Sequence, residues 1–312
     1  MRAPTVSVII PSYNHFNYLR RRIESVLNQT FTDFEVIILD DCSSDGSASI
    51  IGEYYDNPRV SKIILNNENQ GSPFKQWKRG LEHANGDWIW IAESDDYADE
   101  RFLELALAAG DAHPNVGLVY CDSKIVGKKI GPEETFADIK NKKFSTDRWS
   151  GNYTNRGISE LEDYLLSGGT INNTSAVLFR KKSLFEANPF DITFRYIGDM
   201  YAFVKVLAIS DIAYVGESLN YYRDPFSNKH KDKIIHYFYE QFLLLDWVYR
   251  NTNISREKFF RIFYKNTRNS VYRGWNKIKM NIYLDLFAVN RSLFLKSLSN
   301  NLIAPFKEWQ NY

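Results

Sequence analysis

Cysteine is nearly absent from this chain: Cys42 and Cys121 are the only two among 312 residues. Two thiols exclude a disulfide framework, and nothing near either has metal-ligand spacing, so both are expected as buried free thiols in a reducing compartment. No apolar run approaches the roughly 18 residues needed to span a bilayer. Met1-Arg2-Ala3-Pro4 passes straight into a strand-like stretch without the apolar segment of a signal peptide. The chain is therefore expected to be made and kept in the cytosol. Net charge is also scarce. Lys and Arg number 39 against 38 Asp and Glu, a formal +1, which argues against a general nucleic-acid binder. The phosphate-cradling patterns G-x-G-x-x-G and G-x-x-x-x-G-K-[ST] are missing, as are a G-x-S-x-G elbow and H-E-x-x-H. Dinucleotide, P-loop, serine-hydrolase and zincin readings thereby lose their chemistry.

What is present is a core. Hydrophobic residues make up 44% and charged residues 25%, enough to exclude wholesale disorder. The near-zero net charge conceals two opposite halves. Residues 231–312 hold 14 Lys and Arg against 6 Asp and Glu, whereas residues 1–230 hold 25 against 32.

The first 121 residues alternate strand and helix patterns. β-Branched runs at Val6 to Ile10, Phe34 to Leu39, Val60 to Leu65, Trp88 to Ala92 and Val116 to Tyr120 read as buried strands. Helical spacing separates them: Leu19 to Leu27, a helix through Ile50 and Tyr54, Pro73 to Ala84, and Phe102 to Ala109. The series predicts an α/β fold with a mostly parallel, Rossmann-like sheet and helices on both faces. Periodicity weakens from Asp122 to Gly169, which reads as a long irregular excursion. Order returns with a strand at Ser175 to Phe179, a helix at Met200 to Ile209 and a strand at Ile212 to Val215. Beyond about residue 229 the pattern is helical: Ile234 to Tyr249, Arg256 to Lys279 and Ile282 to Leu302. The predicted organisation is a catalytic domain over 1–228 and a helical C-terminal extension over 229–312.

In open α/β sheets, ligands bind at the carboxyl ends of the strands. Here the second strand ends in Asp40-Asp41 and the fourth is followed by Glu93-Ser94-Asp95-Asp96. Carboxylates clustered beside one cleft repel unless a cation or donor joins them. A hard divalent cation bridging to a diphosphate answers that need; a lone carboxylate such as Asp41 also suits the imide N–H of a uracil ring. Asp after a strand is equally common as a turn or N-cap residue. The two acidic pairs together, on strands of one sheet, point to a site.

The residues then carry a resemblance. Val6-Ser7-Val8-Ile9-Ile10-Pro11-Ser12-Tyr13-Asn14, Ile23-Glu24-Ser25-Val26-Leu27-Asn28-Gln29-Thr30 and Asp40-Asp41-Cys42-Ser43-Ser44-Asp45-Gly46-Ser47 resemble the opening of family 2 glycosyltransferases. The likeness continues through Asn69-Gln70-Gly71, Gly86-Asp87-Trp88-Ile89 and Ser94-Asp95-Asp96. It is dense over about the first 120 residues and thinner to Arg223. It implies a GT-A fold, an inverting mechanism, a nucleotide-sugar donor (most often a UDP-sugar) and Mn²⁺ or Mg²⁺. It further implies that Pro11, Tyr13 and Asp41 border the base, that Asp95 faces the ribose and that Asp96 binds the metal. Ser94-Asp95-Asp96 stands for the family's D-x-D signature, with Ser in the first place. Tyr196-Ile197-Gly198-Asp199-Met200 resembles the downstream acidic motif that supplies the catalytic base, making Asp199 the candidate; read from the residues alone, Gly-Asp before a helix is equally an N-cap.

Asn172 and Asn173 fall where family members begin the acceptor side of the site, and a turn is the competing reading. Tyr221-Tyr222-Arg223 matches a late Tyr-Arg element, which implies phosphate contact by Arg223 and leaves His230 as a weaker metal-ligand candidate. In place of the family's Ala-Arg-Asn run stands Gly71-Ser72-Pro73-Phe74-Lys75-Gln76-Trp77-Lys78-Arg79; the resemblance implies a phosphate role for Lys75, Lys78 or Arg79, and a solvated basic helix face is the competing reading. The implied acceptor is a glycan or lipid-linked glycan in surface polysaccharide assembly. Aromatics in the tail read as core, and its remaining basic face as a contact for an anionic membrane or an oligomer partner. Two other classes stay open: a nucleotidyltransferase of similar sheet, and a non-catalytic nucleotide-sugar or glycan-binding scaffold.

Overall fold

The computed structural model describes residues 2–127, 134–190, 194–223, 233–274 and 280–298. Within them the β-branched runs pair into one open sheet of nine strands. The strands are β1 Val6–Ser12, β2 Phe34–Asp40, β3 Val60–Leu65, β4 Trp88–Ile91, β5 Tyr97–Ala98, β6 Val116–Val126, β7 Tyr153–Asn155, β8 Val177–Arg180 and β9 Asp211–Arg223. Their order is β3-β2-β1-β4-β8-β6-β9-β5, with β7 paired to β9. The chain leaves β1 toward β2 and β3, then returns to place β4 on its other side. The reversal opens a crevice beside the carboxyl end of β1, the position where open α/β sheets take ligands.

The sheet is mixed. β3, β2, β1 and β4 run parallel, as does the β6–β9 pair, but β8 lies antiparallel between β4 and β6. Strands buried on both faces are apolar in either direction, so their pattern does not encode polarity. All seven residues of β1 and of β2 are buried. Alternate side chains feed two cores on opposite faces, one through Ile9, Ile37 and Ile89, the other through Val8, Ile38 and Trp90. Each fully buried Val, Leu or Ile contributes about 1.5–3 kcal/mol of transfer free energy.

One expectation of irregularity gives way, and one strand runs past its expected end. Among the described residues of 122–169, β6 continues to Val126, a helix spans Phe136–Phe144, and short helical turns cover 157–168. Trp149, Leu161 and Leu165 there are fully buried. The last strand extends to Arg223, its patterning interrupted by Gly216-Glu217 but its pairing with β6 kept through register shifts around Asp122. One of the two free thiols also differs from expectation. Cys121 is buried, which pushes its thiol up, whereas Cys42 is exposed, at φ 63° in the turn after β2.

The C-terminal helices Lys233–Asn251 and Arg256–Gly274 share the first of the two cores. Phe238, Phe242, Val248, Phe259 and Phe263 are buried in the same cluster as Trp149, Leu165 and Phe203. Tyr237 and Tyr264 stay exposed. No helix among the described residues is long and apolar enough to cross a membrane.

Candidate active site

The crevice measures about 360 Å³ and is lined by Pro11, Ser12, Tyr13 and His15 at and after the end of β1, Asp41 after β2, Asn69, Gly71, Ser72, Pro73, Gln76, Glu93 and Ser94. The two aspartates after β2 have separate tasks. Asp40 turns inward and accepts the Ser43 N–H at 2.8 Å and the Ser43 hydroxyl at 2.6 Å, closing the turn. Asp41 faces the crevice. Its Oδ1 accepts Asn66 Nδ2 and Gln76 Nε2, each at 2.7 Å, and the Gln70 N–H at 3.0 Å. Its Oδ2 has only the shared Gln70 N–H, at 3.1 Å. The carboxylate is therefore fixed in direction with one oxygen left to receive a further donor. Ser12 Oγ, Ser72 Oγ and Gln76 Oε1 in the same wall are buried without a hydrogen-bond partner. Tyr13 stands 48% exposed at the rim, its ring presented beside Asp41's crevice.

Of the three basic candidates on the helix Pro73–Leu81, Lys75 lies beneath the Asn69-Gln70-Gly71 loop, its Nζ donating to Gln70 O at 3.2 Å. Arg79 is bound to Asn66 Oδ1, so it braces the Asp41 network. Lys78 is exposed and lines a separate depression with Leu81 and Phe185.

The acidic loop after β4 is held from three sides. Ser94 Oγ meets His15 Nδ1 at 2.7 Å. Ser175 Oγ accepts the Glu93 N–H at 3.2 Å, and Trp77 Nε1 donates to Glu93 Oε1 at 2.7 Å. Beneath lies Arg22, fully buried, its Nε donating to Glu93 O at 2.8 Å. Burial, reinforced by Asp95, pushes the Glu93 carboxyl up to about 8. Burial likewise raises Asp96 to about 6 against the pull of Arg22. The stacked rings of Tyr97 and Tyr221, 4.4 Å apart, clamp β5 to β9 and bring Arg223 to this loop. The Arg223 N–H donates to Asp96 Oδ1 at 2.8 Å and its Nε to Asp95 O at 3.1 Å.

Among the described residues no group of three or more His, Cys, Asp or Glu is arranged to hold a metal ion. The donor set fits a hard divalent cation of the Mn²⁺ or Mg²⁺ kind shared with a diphosphate, since such ions take one or two carboxylates and complete their shell with phosphate and water. Burial disfavours the ionised form of Asp96, so an arriving cation would stabilise that carboxylate. His230 lies outside the described residues.

Asp199 is the second residue of the helix Gly198–Leu207. Ile197, not Asp199, occupies the N-cap, and the Asp199 carboxylate accepts the Met200 N–H at 2.7 Å. Burial raises its carboxyl above the ordinary aspartate range, with Glu240 adding to the rise. The start of this helix packs on the helix Pro73–Leu81: a Cβ at Gly198 would lie 2.5 Å from the ring of Phe74, and the same helix carries Pro73 and Gln76 to the crevice.

The asparagines divide. Asn173 is buried and structural: its Oδ1 accepts the Ala176 N–H at 2.9 Å and Asn220 Nδ2 at 3.1 Å, and its Nδ2 donates to Ser123 Oγ. That is turn chemistry, and it shapes the segment that carries Ser175. Asn172 is exposed and donates to Gly169 O. His15, Arg22 and Gln76 belong to the site although no motif gave them a role; Glu93 was marked only as a member of the acidic run. Their signal was the apolar helix face or strand end they occupy, which reads as packing.

A mixed α/β sheet whose switch-point crevice carries one oriented carboxylate and a separate acidic loop defines a nucleotide-binding fold of the GT-A type. Residues 7–184 match the family model described as glycosyl transferase family 2, and the chain belongs to that family. Poly(ribitol-phosphate) β-N-acetylglucosaminyltransferase TarS of Staphylococcus aureus is 33% identical over 134 residues, 42% of this chain and 23% of that protein. Chondroitin synthase of Escherichia coli is 36% identical over 129 residues, 41% of this chain and 18% of that one. These matches thus span about a quarter or less of either relative's length. The crystal structure of TarS 1–349 in complex with UDP superposes with a TM-score of 0.69 at 20% identity, covering 95% of this chain and 88% of that one. A mannosyltransferase from Pyrobaculum calidifontis in complex with GDP-Man and Mn²⁺ gives 0.60 at 15% identity, with coverage of 97% and 88%.

Proposed function

We propose that this chain is an inverting, divalent-metal-dependent glycosyltransferase. It moves a hexosyl or N-acetylhexosaminyl group from a UDP-sugar to a hydroxyl of a glycan or lipid-linked glycan, in surface polysaccharide synthesis at the cytoplasmic face of the membrane. The observation that carries the reading is Asp41: a buried carboxylate fixed by Asn66, Gln70 and Gln76, with one oxygen open to the crevice. Uracil offers an imide N–H of the matching sense. The names of relatives that bind UDP or act in polysaccharide synthesis support the same donor and pathway class.

In this scheme Pro11 and Tyr13 flank the base and Asp95 faces the ribose, while Lys75 and Arg223 direct positive charge at the diphosphate. A cation held by Asp96 acts, when bound, as a Lewis acid toward the departing diphosphate. Asp199 takes the proton of the acceptor hydroxyl as general base, and its raised affinity for protons suits that task. The sugar passes through an oxocarbenium-like state, as in glycoside hydrolysis. The domain division at about residue 228 is retained as a division of sequence; the tail's aromatic face is packed into the catalytic core. Several basic residues of the tail are already engaged, Lys258 with Glu162 and Asp163, Arg250 with Asp246. Much of the remaining basic surface expected to meet a membrane lies outside the described residues.

The test is a pair of variants. Asp199→Asn is expected to bind UDP with Mn²⁺ as the parent does while losing about a hundredfold or more in turnover, the range for general-base loss. Asp96→Ala is expected to lose the Mn²⁺-dependent part of UDP binding in calorimetry. Full turnover in the first, or unchanged metal dependence in the second, overturns the corresponding role.

A further inference from the structure

The segment 194–197 leads directly into the helix bearing Asp199, and it is gripped from the C-terminal tail. Glu240, on the helix Lys233–Asn251, is only 5% exposed. Its Oε1 accepts the Arg195 N–H at 2.7 Å; its Oε2 accepts those of Tyr196 at 2.9 Å and Ile197 at 3.0 Å. Three consecutive amides aimed at one carboxylate form an anion-binding nest, here filled from within the chain. Ile197 is the N-cap of the Asp199 helix, and its carbonyl accepts the Tyr201 N–H at 2.9 Å. The carboxylate thus orients the three peptide planes that set where that helix begins. Aromatic contacts close the same joint: Phe194 stacks on Tyr201 at 4.4 Å, Tyr201 meets Trp247 of the tail edge-on, and His236 stacks on Tyr196.

We propose that Glu240 is a positioning residue for the transfer reaction, so that the C-terminal helix is a working part of the active site and sets the placement of Asp199. The inference rests on Asp199 being the base. Its logic is geometric. A helix start held by one planar carboxylate tolerates little drift, and displacement of a reacting group by about 1 Å costs on the order of a hundredfold in rate. An amide in place of the carboxylate retains one acceptor and turns a donor toward the N–H groups, so the nest loses part of its grip. Asp199 then drifts, while Asp41 and Asp96, on other elements, stay in place.

The experiment compares the full-length chain with Glu240→Gln and Glu240→Asp, using the nucleotide sugar that the parent turns over. Glu240→Gln is expected to lower kcat about ten- to a hundredfold, with UDP–Mn²⁺ affinity within twofold of the parent. Glu240→Asp, which keeps the charge and both oxygens, is expected to recover part of kcat. In an Asp199→Asn background, Glu240→Gln is expected to cause no further loss. An unchanged kcat in Glu240→Gln, or a fall in kcat matched by an equal loss of UDP affinity and a melting temperature below the assay temperature, would overturn the inference while leaving the base assignment standing. Full turnover by Asp199→Asn, or no nucleotide sugar accepted by the parent, would remove the base and this inference together.

Discussion

Gly198 is the point where the account can be strained by a single methyl group. A Cβ added there would lie 2.5 Å from two ring atoms of Phe74 and 2.8 Å from a third. Ordinary carbon contacts begin near 3.4 Å, so ring and helix must separate by about 0.9 Å. Phe74 cannot swing away: it is 4% exposed and packs edge-on against Trp77 at 4.9 Å, which is itself tied to Glu93. The displacement therefore falls on the start of the Asp199 helix. Overpacking of this kind costs about 1–3 kcal/mol, offset by up to about 1 kcal/mol of helix propensity gained by Ala over Gly. The net loss of stability is modest. The loss of rate is not, because a shift near 1 Å at the proposed base, Asp199, is on the order of a hundredfold. Gly198→Ala is thus predicted to stay folded and bind UDP with Mn²⁺, yet lose between ten- and a hundredfold in kcat. Shortening the obstructing ring, as Gly198→Ala with Phe74→Leu, is predicted to restore most of that loss. A folded Gly198→Ala with parental kcat would refute the claim that this contact sets the position of Asp199.

Asp41→Asn should weaken UDP binding about ten- to a hundredfold, since hydrogen bonds to a charged group are worth about 1.5–3 kcal/mol and the new amide opposes the imide N–H. Titration calorimetry measures it. Burial raises the Asp96 carboxyl to about 6, and a proton there would compete with the cation proposed at that carboxylate, so affinity for UDP with Mn²⁺ should fall about tenfold between pH 7.5 and 5.0. Metal-free UDP binding should change less over that interval. Asp199 is raised by burial, so its folded value exceeds its unfolded one and its charge costs stability at every pH above the folded value. Asp199→Asn should therefore melt higher than the parent at pH 7.5 and lose that advantage as the pH falls, even as turnover collapses.

Much of this arrangement was legible beforehand because the signals were local. Val60–Leu65 begins and ends where its β-branched run does, and Pro73 opens its helix at the first position, where a missing N–H is harmless. Strand direction was not legible: β8 is short and buried on both faces, so nothing in Val177-Leu178-Phe179 marks it as antiparallel. Residues 122–169 escaped because their buried groups, Trp149 and Leu161 among them, sit in elements too short to show a period. Within the site, Asp40 and Asp41 are indistinguishable as neighbours in sequence; only the Ser43 turn assigns one inward and leaves the other to the crevice. Glu240 had no local signature at all. Its partners lie more than 40 residues away and are backbone amides, which any sequence supplies.

The near-balanced charge that argued against nucleic acid did not limit the chain's partners. Acidic residues gather at the strand ends, while the tail's aromatic face and Glu240 are turned into the fold. The central claim, inverting transfer from a UDP-sugar, is tested most directly by the anomeric configuration of the product. The chain is incubated with a panel of nucleotide sugars, glycan acceptors and Mn²⁺, and the first-formed product is read by NMR. UDP release and a product of configuration opposite to the donor's, both lost on chelation, are the expected result. A retained anomer, or pyrophosphate released from a nucleoside triphosphate instead, would contradict it.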